Sequence, residues 1–270
     1  MLVVACIKQV PDTTQVKVDP ETGTLIREGV PFIINPFDIH ALEESIRLKE
    51  RYGFRVAVIS MGPPNTEITL RKALAIEADE AILLSDRAFG GADTLATSRV
   101  LAEAIYQLSE KEEVAIVLCG KQTIDGDTAQ VGPGIATRLG YSQLTLVDQI
   151  RNIELEAKTV EVRRKLEGRQ EVVVTSMPAM ITVSRSINSP RYPTVPMRLK
   201  SLEQQVDLWD NGFLSLDPQT IGLNGSATQV KKIFSPERDK GEIIGDGLNK
   251  PRETAQLLVG KLIEKDLIII

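Results

Sequence analysis

Apolar and polar positions along this chain fall into blocks of two kinds. Short apolar runs at residues 2–8, 56–60, 81–84 and 114–118 are bounded by charged or turn-forming residues, as expected of strands buried on both faces. Between them, residues 38–52, 66–76 and 94–108 carry apolar side chains at helical spacing, and a further helix after Asp127 presents the stripe Val131, Ile135 and Leu139. Gly132 and Pro133 fall in the first turn of that helix, where a missing N–H costs little. The alternation over residues 1–140 predicts an α/β fold, a doubly wound and mostly parallel Rossmann-like sheet with helices on both faces.

Beyond residue 140 the pattern changes. Residues 144–155, 159–166 and 171–176 alternate as strands, the last two around Glu167-Gly168-Arg169, so a β-hairpin is added, and residues 179–184 supply one more strand. Residues 185–196 are polar and broken by prolines, which predicts a projecting loop. Residues 207–250 scatter Gly, Pro and Asn around the single Trp209 and read as an extended arm. Residues 252–265 form a terminal helix with Leu257, Leu258, Lys261 and Leu262 on its apolar side. The division expected is a nucleotide-binding α/β domain over 1–206 and a C-terminal arm with its helix over 207–270. An arm with so little core of its own must lie on something, and a partner subunit is the candidate.

In such sheets ligands bind outside the carboxyl ends of the strands. Those ends carry Gln9 to Thr13, then Asn35, Pro36, Phe37 and Asp38, then Met61 to Pro64, residues 85–93, and the run 119–140. In that last run, Gln122, Thr123, Asp125, Gly126, Asp127, Thr128 and Gln130 lie between a strand and a helix N-terminus. A loop so placed offers backbone N–H groups and the positive end of a helix dipole to a phosphate. It is neither a Walker loop nor a GxGxxG motif, and a polar turn that only caps a helix has the same composition. Asn35, Asp38 and Asp93 are likewise ordinary cap residues taken singly. Their convergence on one sheet edge points to a pocket.

Composition limits the chemistry. At 270 residues, 42% hydrophobic and 26% charged, the chain is soluble and globular in character, and its net charge of -5 argues against a general nucleic-acid binder. No apolar run approaches the roughly 20 residues needed to span a bilayer. The start MLVVACIKQV reads as a strand rather than a signal peptide, so a cytoplasmic location is expected. Cys6 and Cys119 lack metal-ligand spacing and read as small buried residues. His40 is the only histidine, so no His-based metal cluster is expected.

Five stretches occur in the order and spacing of one known family: ACIKQVPDT (5–13), INPFDIHALEESIRLKE (34–50), VISMGPP (58–64), the run 119–140, and VRRKLEGRQEVVVTSMPAMITV (162–183). Along nearly its whole length the chain resembles the beta subunit of electron transfer flavoprotein. The resemblance implies a heterodimer with an alpha subunit that carries its own FAD, and a nucleotide held by the beta subunit. Its housekeeping branch holds structural AMP there. Its bifurcating branch holds a second FAD that accepts hydride from NADH, and SDRAFGGADTLATS (85–98) with DGDTAQVGP (125–133) resembles that branch. Electrons would then pass to a ferredoxin or flavodoxin and, through the alpha-subunit FAD, to an acyl-CoA dehydrogenase, with no catalytic side chain in this chain.

Carried over position by position, the resemblance places Asn35, Pro36, Phe37 and Asp38 along the adenosine part of the nucleotide, with Cys6 and Met61 at strand ends that touch it. Gly120, Gln122, Thr123, Asp125, Gly126, Asp127, Thr128, Ala129, Gln130, Val131 and Gly132 match the phosphate and ribose clamp. Asp93 and Thr94 match positions beside the second flavin, and Ile187, in the loop 185–191, matches an apolar anchor that docks on acyl-CoA dehydrogenases. Arg169 and Gln170 depart from the family hairpin. A non-redox sensor of adenine nucleotides is the alternative that the strand-end loops equally permit.

Overall fold

The structure is a computed structural model that describes residues 1–12, 31–229 and 241–268, with the backbone of residues 17–18 and 25–26. Thr13 and residues 230–240 of the expected arm lie outside the described residues. Strand β1 (Leu2–Cys6) is followed by the short β2 (Gln9–Pro11), β3 (Lys17–Val18), β4 (Leu25–Ile26) and β5 (Phe32–Ile34). Then come α1 (Asp38–Tyr52), β6 (Arg55–Met61), α2 (Glu67–Leu74), β7 (Glu80–Leu84), α3 (Thr94–Ser109), β8 (Val114–Gly120) and α4 (Val131–Leu139). Strands β9 (Ser142–Glu154), β10 (Thr159–Leu166), β11 (Arg169–Ser176) and β12 (Ala179–Val183) precede α5 (Val195–Glu203), β13 (Asp207–Trp209) and α6 (Asn211–Leu214). A separate unit, residues 232–270, holds α7 (Pro251–Glu264).

Nine strands make one sheet in the order β11-β10-β9-β12-β8-β1-β6-β7-β13. Every neighbouring pair from β9 to β13 is parallel, and antiparallel β10 and β11 extend the β9 edge as the hairpin. The doubly wound, mostly parallel architecture with an added hairpin is therefore the one its periodicity predicts. From β1 the chain builds outward through β6 and β7, then crosses to β8 on the other side of β1. The gap between β1 and β8 is thus a topological switch point, where loops part and leave a crevice.

Alternate side chains of β1 feed two cores. Val3 and Ala5 join the core under α1 and α2, whereas Leu2, Val4 and Cys6 join the one under α3 and α4. Helix α1 forms because Ala41, Leu42, Ser45, Ile46 and Leu48 make one buried stripe, and it stops at Gly53, whose φ of 73° is the left-handed conformation that ends helices. Burial of a leucine or isoleucine such as Leu42 or Ile46 contributes roughly 1.5–3 kcal/mol.

Two sequence expectations change. The chain does not leave the α/β unit at residue 207, because β13 pairs with β7 and adds an edge strand. Trp209 is 5% exposed beneath the Lys111 ammonium, 4.9 Å from the ring centre, and Leu214 and Ile221 enter the same core. The compact unit accordingly runs to residue 231 rather than 206. Nor does the loop 185–191 project: Asn188 donates to the His40 carbonyl and to Glu44, both at 2.9 Å, and Arg191 grips Glu43 and Glu50. Among the described residues no helix is long and apolar enough to cross a membrane.

Candidate functional site

The crevice between β1 and β8 is held by the motif Asn35-Pro36-Phe37-Asp38. Asp38, first residue of α1 and 4% exposed, accepts the Gly120 N–H on Oδ1 at 2.9 Å and the Lys8 N–H on Oδ2 at 2.8 Å. Asn35 is wholly buried; its Nδ2 donates to the Gln122 carbonyl at 2.9 Å and its Oδ1 accepts the Ile124 N–H at 3.2 Å. Its own N–H donates to the Lys8 carbonyl at 2.8 Å. These two side chains thus fasten the end of β1 to the start of the loop after β8, and their polar atoms serve the scaffold. Gly120 has to be glycine, since a Cβ would lie 2.5 Å from the Phe37 Cβ and 2.6 Å from Asp38 Oδ1. Two cations approach the Phe37 ring, the Arg185 guanidinium at 4.5 Å and the Lys121 ammonium at 5.2 Å from its centre.

The loop itself is braced and open. Lys8 pairs with Asp125 at 2.7 Å, Gln122 Nε2 donates to Asp127 Oδ1 at 2.7 Å, and the Asp127 N–H donates to the Thr123 carbonyl at 2.9 Å. Asp127 and Ala129 adopt left-handed φ of 51° and 56°, a strained conformation for residues with a Cβ that bends the chain sharply into α4. Asp125, Gly126, Asp127, Thr128, Ala129 and Gln130 are all exposed. Among the described residues the N–H groups of Thr128, Ala129, Gln130, Val131 and Gly132 have no acceptor, and no side chain caps α4. Gly132 lets this helix end sit close against β8 and β12, for a Cβ there would meet Thr182 Cγ2 at 2.7 Å and Cys119 Sγ at 3.1 Å. Successive free N–H groups at a helix N-terminus make a cradle that a nucleotide phosphate fits.

Electrostatics under the cradle are dominated by burial. Burial pushes the Asp38 carboxyl up to about 7, against the lowering effect of its bonds from Lys8, Asn35 and Gly120. Burial also raises both the Cys6 and Cys119 thiols, helped by the charge of Asp38, so they are protonated neighbours rather than nucleophiles. For Asp125 burial acts upward, but the bonds from Lys8 and Thr123 outweigh it and hold the carboxyl below its usual range. Among the described residues no cluster of His, Cys, Asp or Glu could hold a metal ion.

Other expected site residues are placed unevenly. Thr94 reaches the cradle through a 2.9 Å bond from its hydroxyl to Gln130 Oε1. Asp93 caps α3 by accepting the Leu95 and Ala96 N–H groups at 2.9 and 3.0 Å. Its other oxygen takes the N–H and hydroxyl of Thr228 at 3.0 and 3.1 Å, so its carboxylate is a latch rather than a free ligand contact. Met61 ends β6 on the same sheet edge, half-buried against the core under α3 and α4. Ile187 is half-buried, with part of its side chain packed on the core under α1 and α2. Exposed apolar residues follow on α5: Val195 at 70%, Leu199 at 61% and Leu202 at 64%. Their i, i+4, i+7 spacing is visible in the sequence once a helix is drawn there. Lys8, on Asp125, and Lys121 and Arg185, on Phe37, also stand at this sheet edge, and a lone basic residue after a strand carries no signal in the sequence.

Comparison with known proteins places the chain among relatives of one family. Residues 22–210 match the family model described as the electron transfer flavoprotein domain. The chain is 47% identical over 270 residues to the electron transfer flavoprotein subunit beta of Clostridium acetobutylicum, covering 99% of this chain and 100% of that protein. It is 46% identical over 271 residues to the caffeyl-CoA reductase-Etf complex subunit CarD of Acetobacterium woodii, with 99% and 100% covered. With protein FixA of Azotobacter vinelandii it shares 44% identity over 262 residues, covering 96% of this chain and 93% of FixA.

Proposed function

The chain belongs to the electron transfer flavoprotein family as a beta subunit, and from that premise we propose that its β1/β8 crevice binds FAD as a redox cofactor that accepts hydride from NADH. The single observation that carries the proposal is the row of unpartnered N–H groups from Thr128 to Gly132, opening on an exposed loop at the switch point. Those groups and the dipole of α4 would hold the phosphates, and Asn35, Asp38 and the Lys8–Asp125 pair would keep the loop in position. At Gly126 an added Cβ would meet only Thr123 Oγ1, at 3.5 Å, so this side of the loop is open to a ribose. Phe37, with Lys121 and Arg185 on its ring, would border the adenosine end. A bound FAD supplies hydride acceptance and single-electron release, which no side chain combines. Binding, orientation and stabilisation of negative charge fall to this chain.

The name of CarD, a subunit of a caffeyl-CoA reductase-Etf complex, supports the bifurcating branch and a partner that acts on a CoA thioester. In this reading electrons leave towards a ferredoxin or flavodoxin and, through the alpha-subunit FAD, towards an acyl-CoA dehydrogenase. Ile187, half-buried in the loop 185–191, would anchor that dehydrogenase, with the exposed Val195, Leu199 and Leu202 following it in the chain. The C-terminal helix α7, with Leu257, Leu258, Val259 and Ile263 exposed, is suited to pack on the alpha subunit. Anaerobic NADH titration of the purified alpha-beta complex tests the proposal: both flavins are expected to bleach. A complex whose single flavin resists NADH supports structural AMP instead, and a colourless complex that binds ATP supports a non-redox sensor.

A further inference from the structure

Residues 85–93, between β7 and α3, are fastened to a stretch more than 125 positions further along the chain. Phe89 and Ile221 are buried in one core, the one under α3 and α4. Gly222, at a left-handed φ of 54°, approaches so closely that a Cβ there would overlap the Ala88 carbonyl oxygen. A Cβ on Gly91 would in turn meet the Leu223 side chain at 3.4 Å. Ser226 Oγ accepts the Asp93 N–H at 2.8 Å and donates to the Gly222 carbonyl at 2.7 Å. Thr228 gives both its N–H and its hydroxyl to Asp93 Oδ2, while Asp93 Oδ1 caps α3. Burial acts upward on the Asp93 carboxyl, but the bonds from Ala96 and Thr228 outweigh it and hold the carboxyl below its usual range. The latch is therefore charged and closed at neutral pH.

The latch serves one end of the cradle. Asn35 holds the loop where it begins, at Gln122 and Ile124, and Thr94 meets it where it enters α4, at Gln130. A mononucleotide with its adenosine at Phe37 stops at the phosphate it places on the cradle, whereas a dinucleotide runs on past Gln130 against Asp93 and Thr94. We infer that Ser226 and Thr228 are positioning residues that make the crevice select a dinucleotide over a mononucleotide, by holding Asp93 and Thr94 as a fixed wall for its second half. The inference rests on the nucleotide site proposed above. A wall ordered in advance need not be ordered on binding, and only the longer ligand gains from that.

The test is a competition on the purified alpha-beta complex, equilibrated with FAD and rising AMP, with the nucleotides retained after gel filtration counted on denaturation. It reads the ratio of FAD to AMP affinity, which a general loosening of the site does not move. Thr228→Val removes the hydroxyl but keeps the N–H and the shape, and is expected to shift the ratio towards AMP about fivefold. Ser226→Ala combined with Thr228→Val is expected to shift it about twentyfold. Thr228→Ser, which keeps the hydroxyl, is expected to stay within about twofold of the parent. Asp127→Ala, on the cradle that both nucleotides share, is expected to weaken both and leave the ratio unchanged. Thr228 is exposed, so its variants keep the fold. If the parent prefers FAD and the double variant keeps that ratio within about twofold, the selection by the latch is refuted and the FAD site stands. A parent that takes AMP in preference to FAD removes the site reading and this inference together.

Discussion

Asn35→Ala isolates the scaffold of the cradle from the cradle itself. The side chain is wholly buried and makes two bonds to the loop, to the Gln122 carbonyl at 2.9 Å and from the Ile124 N–H at 3.2 Å. Each is worth about 0.5–1.5 kcal/mol net. Because Gln122 and Ile124 are half-exposed, water can satisfy them once the loop moves, which keeps the penalty towards that range rather than that of a sealed polar group. Together the two bonds hold the loop by about 1–3 kcal/mol, which converts to roughly 5- to 150-fold in nucleotide affinity, since a loop freed in the unbound state must be ordered again on binding. The loss should appear as a faster nucleotide off-rate and a weaker Kd, measured by displacement from the alpha-beta complex with FAD and with AMP. Circular dichroism should be unchanged, because the buried stripe of α1 and the β1–β8 pairing do not depend on Asn35. A variant that keeps its nucleotide with a Kd within about twofold of the parent would refute the argument that the loop is held from below.

Asp127→Ala removes the acceptor for Gln122 on an exposed residue; nucleotide retention should fall while chemical unfolding shifts by less than about 0.5 kcal/mol. Gly132→Val forces a Cβ to 2.7 Å from Thr182 Cγ2, so it should cost about 1–3 kcal/mol of stability, read as a lower Tm, as well as the nucleotide. Asp38 has a carboxyl raised from the ordinary 3.8 to about 7 by burial, which makes the folded state bind a proton more tightly than the unfolded chain. Its contribution to stability is therefore full below pH 3.8, is lost as pH rises to about 7, and is flat above, for a total of order 4 kcal/mol. Urea unfolding between pH 5 and 8 should show that slope, and Asp38→Asn should flatten it.

The parallel strands and α1 were legible because long apolar runs and the stripe from Ala41 to Leu48 report burial directly. The cradle was legible by position, since Gly120 and Gly132 bracket a polar loop between a strand and a helix. Its support was not, because Asn35 and Asp38 look like ordinary caps until folding brings residues 82 to 89 positions apart into bonding distance. Strand β13 escaped for another reason: three residues, one of them Leu208 at 64% exposure, carry no period. Ile187 and Val195 show the limit of composition. Both are β-branched residues in a polar, proline-rich stretch, yet the first is half-buried against the core beside the tie from Asn188 to α1 and the second is 70% exposed.

The most direct test of the account is a count of the nucleotides released when the purified alpha-beta complex is denatured. Two FAD and no AMP per heterodimer are expected if the Thr128–Gly132 cradle holds a dinucleotide. One FAD with one AMP would contradict it.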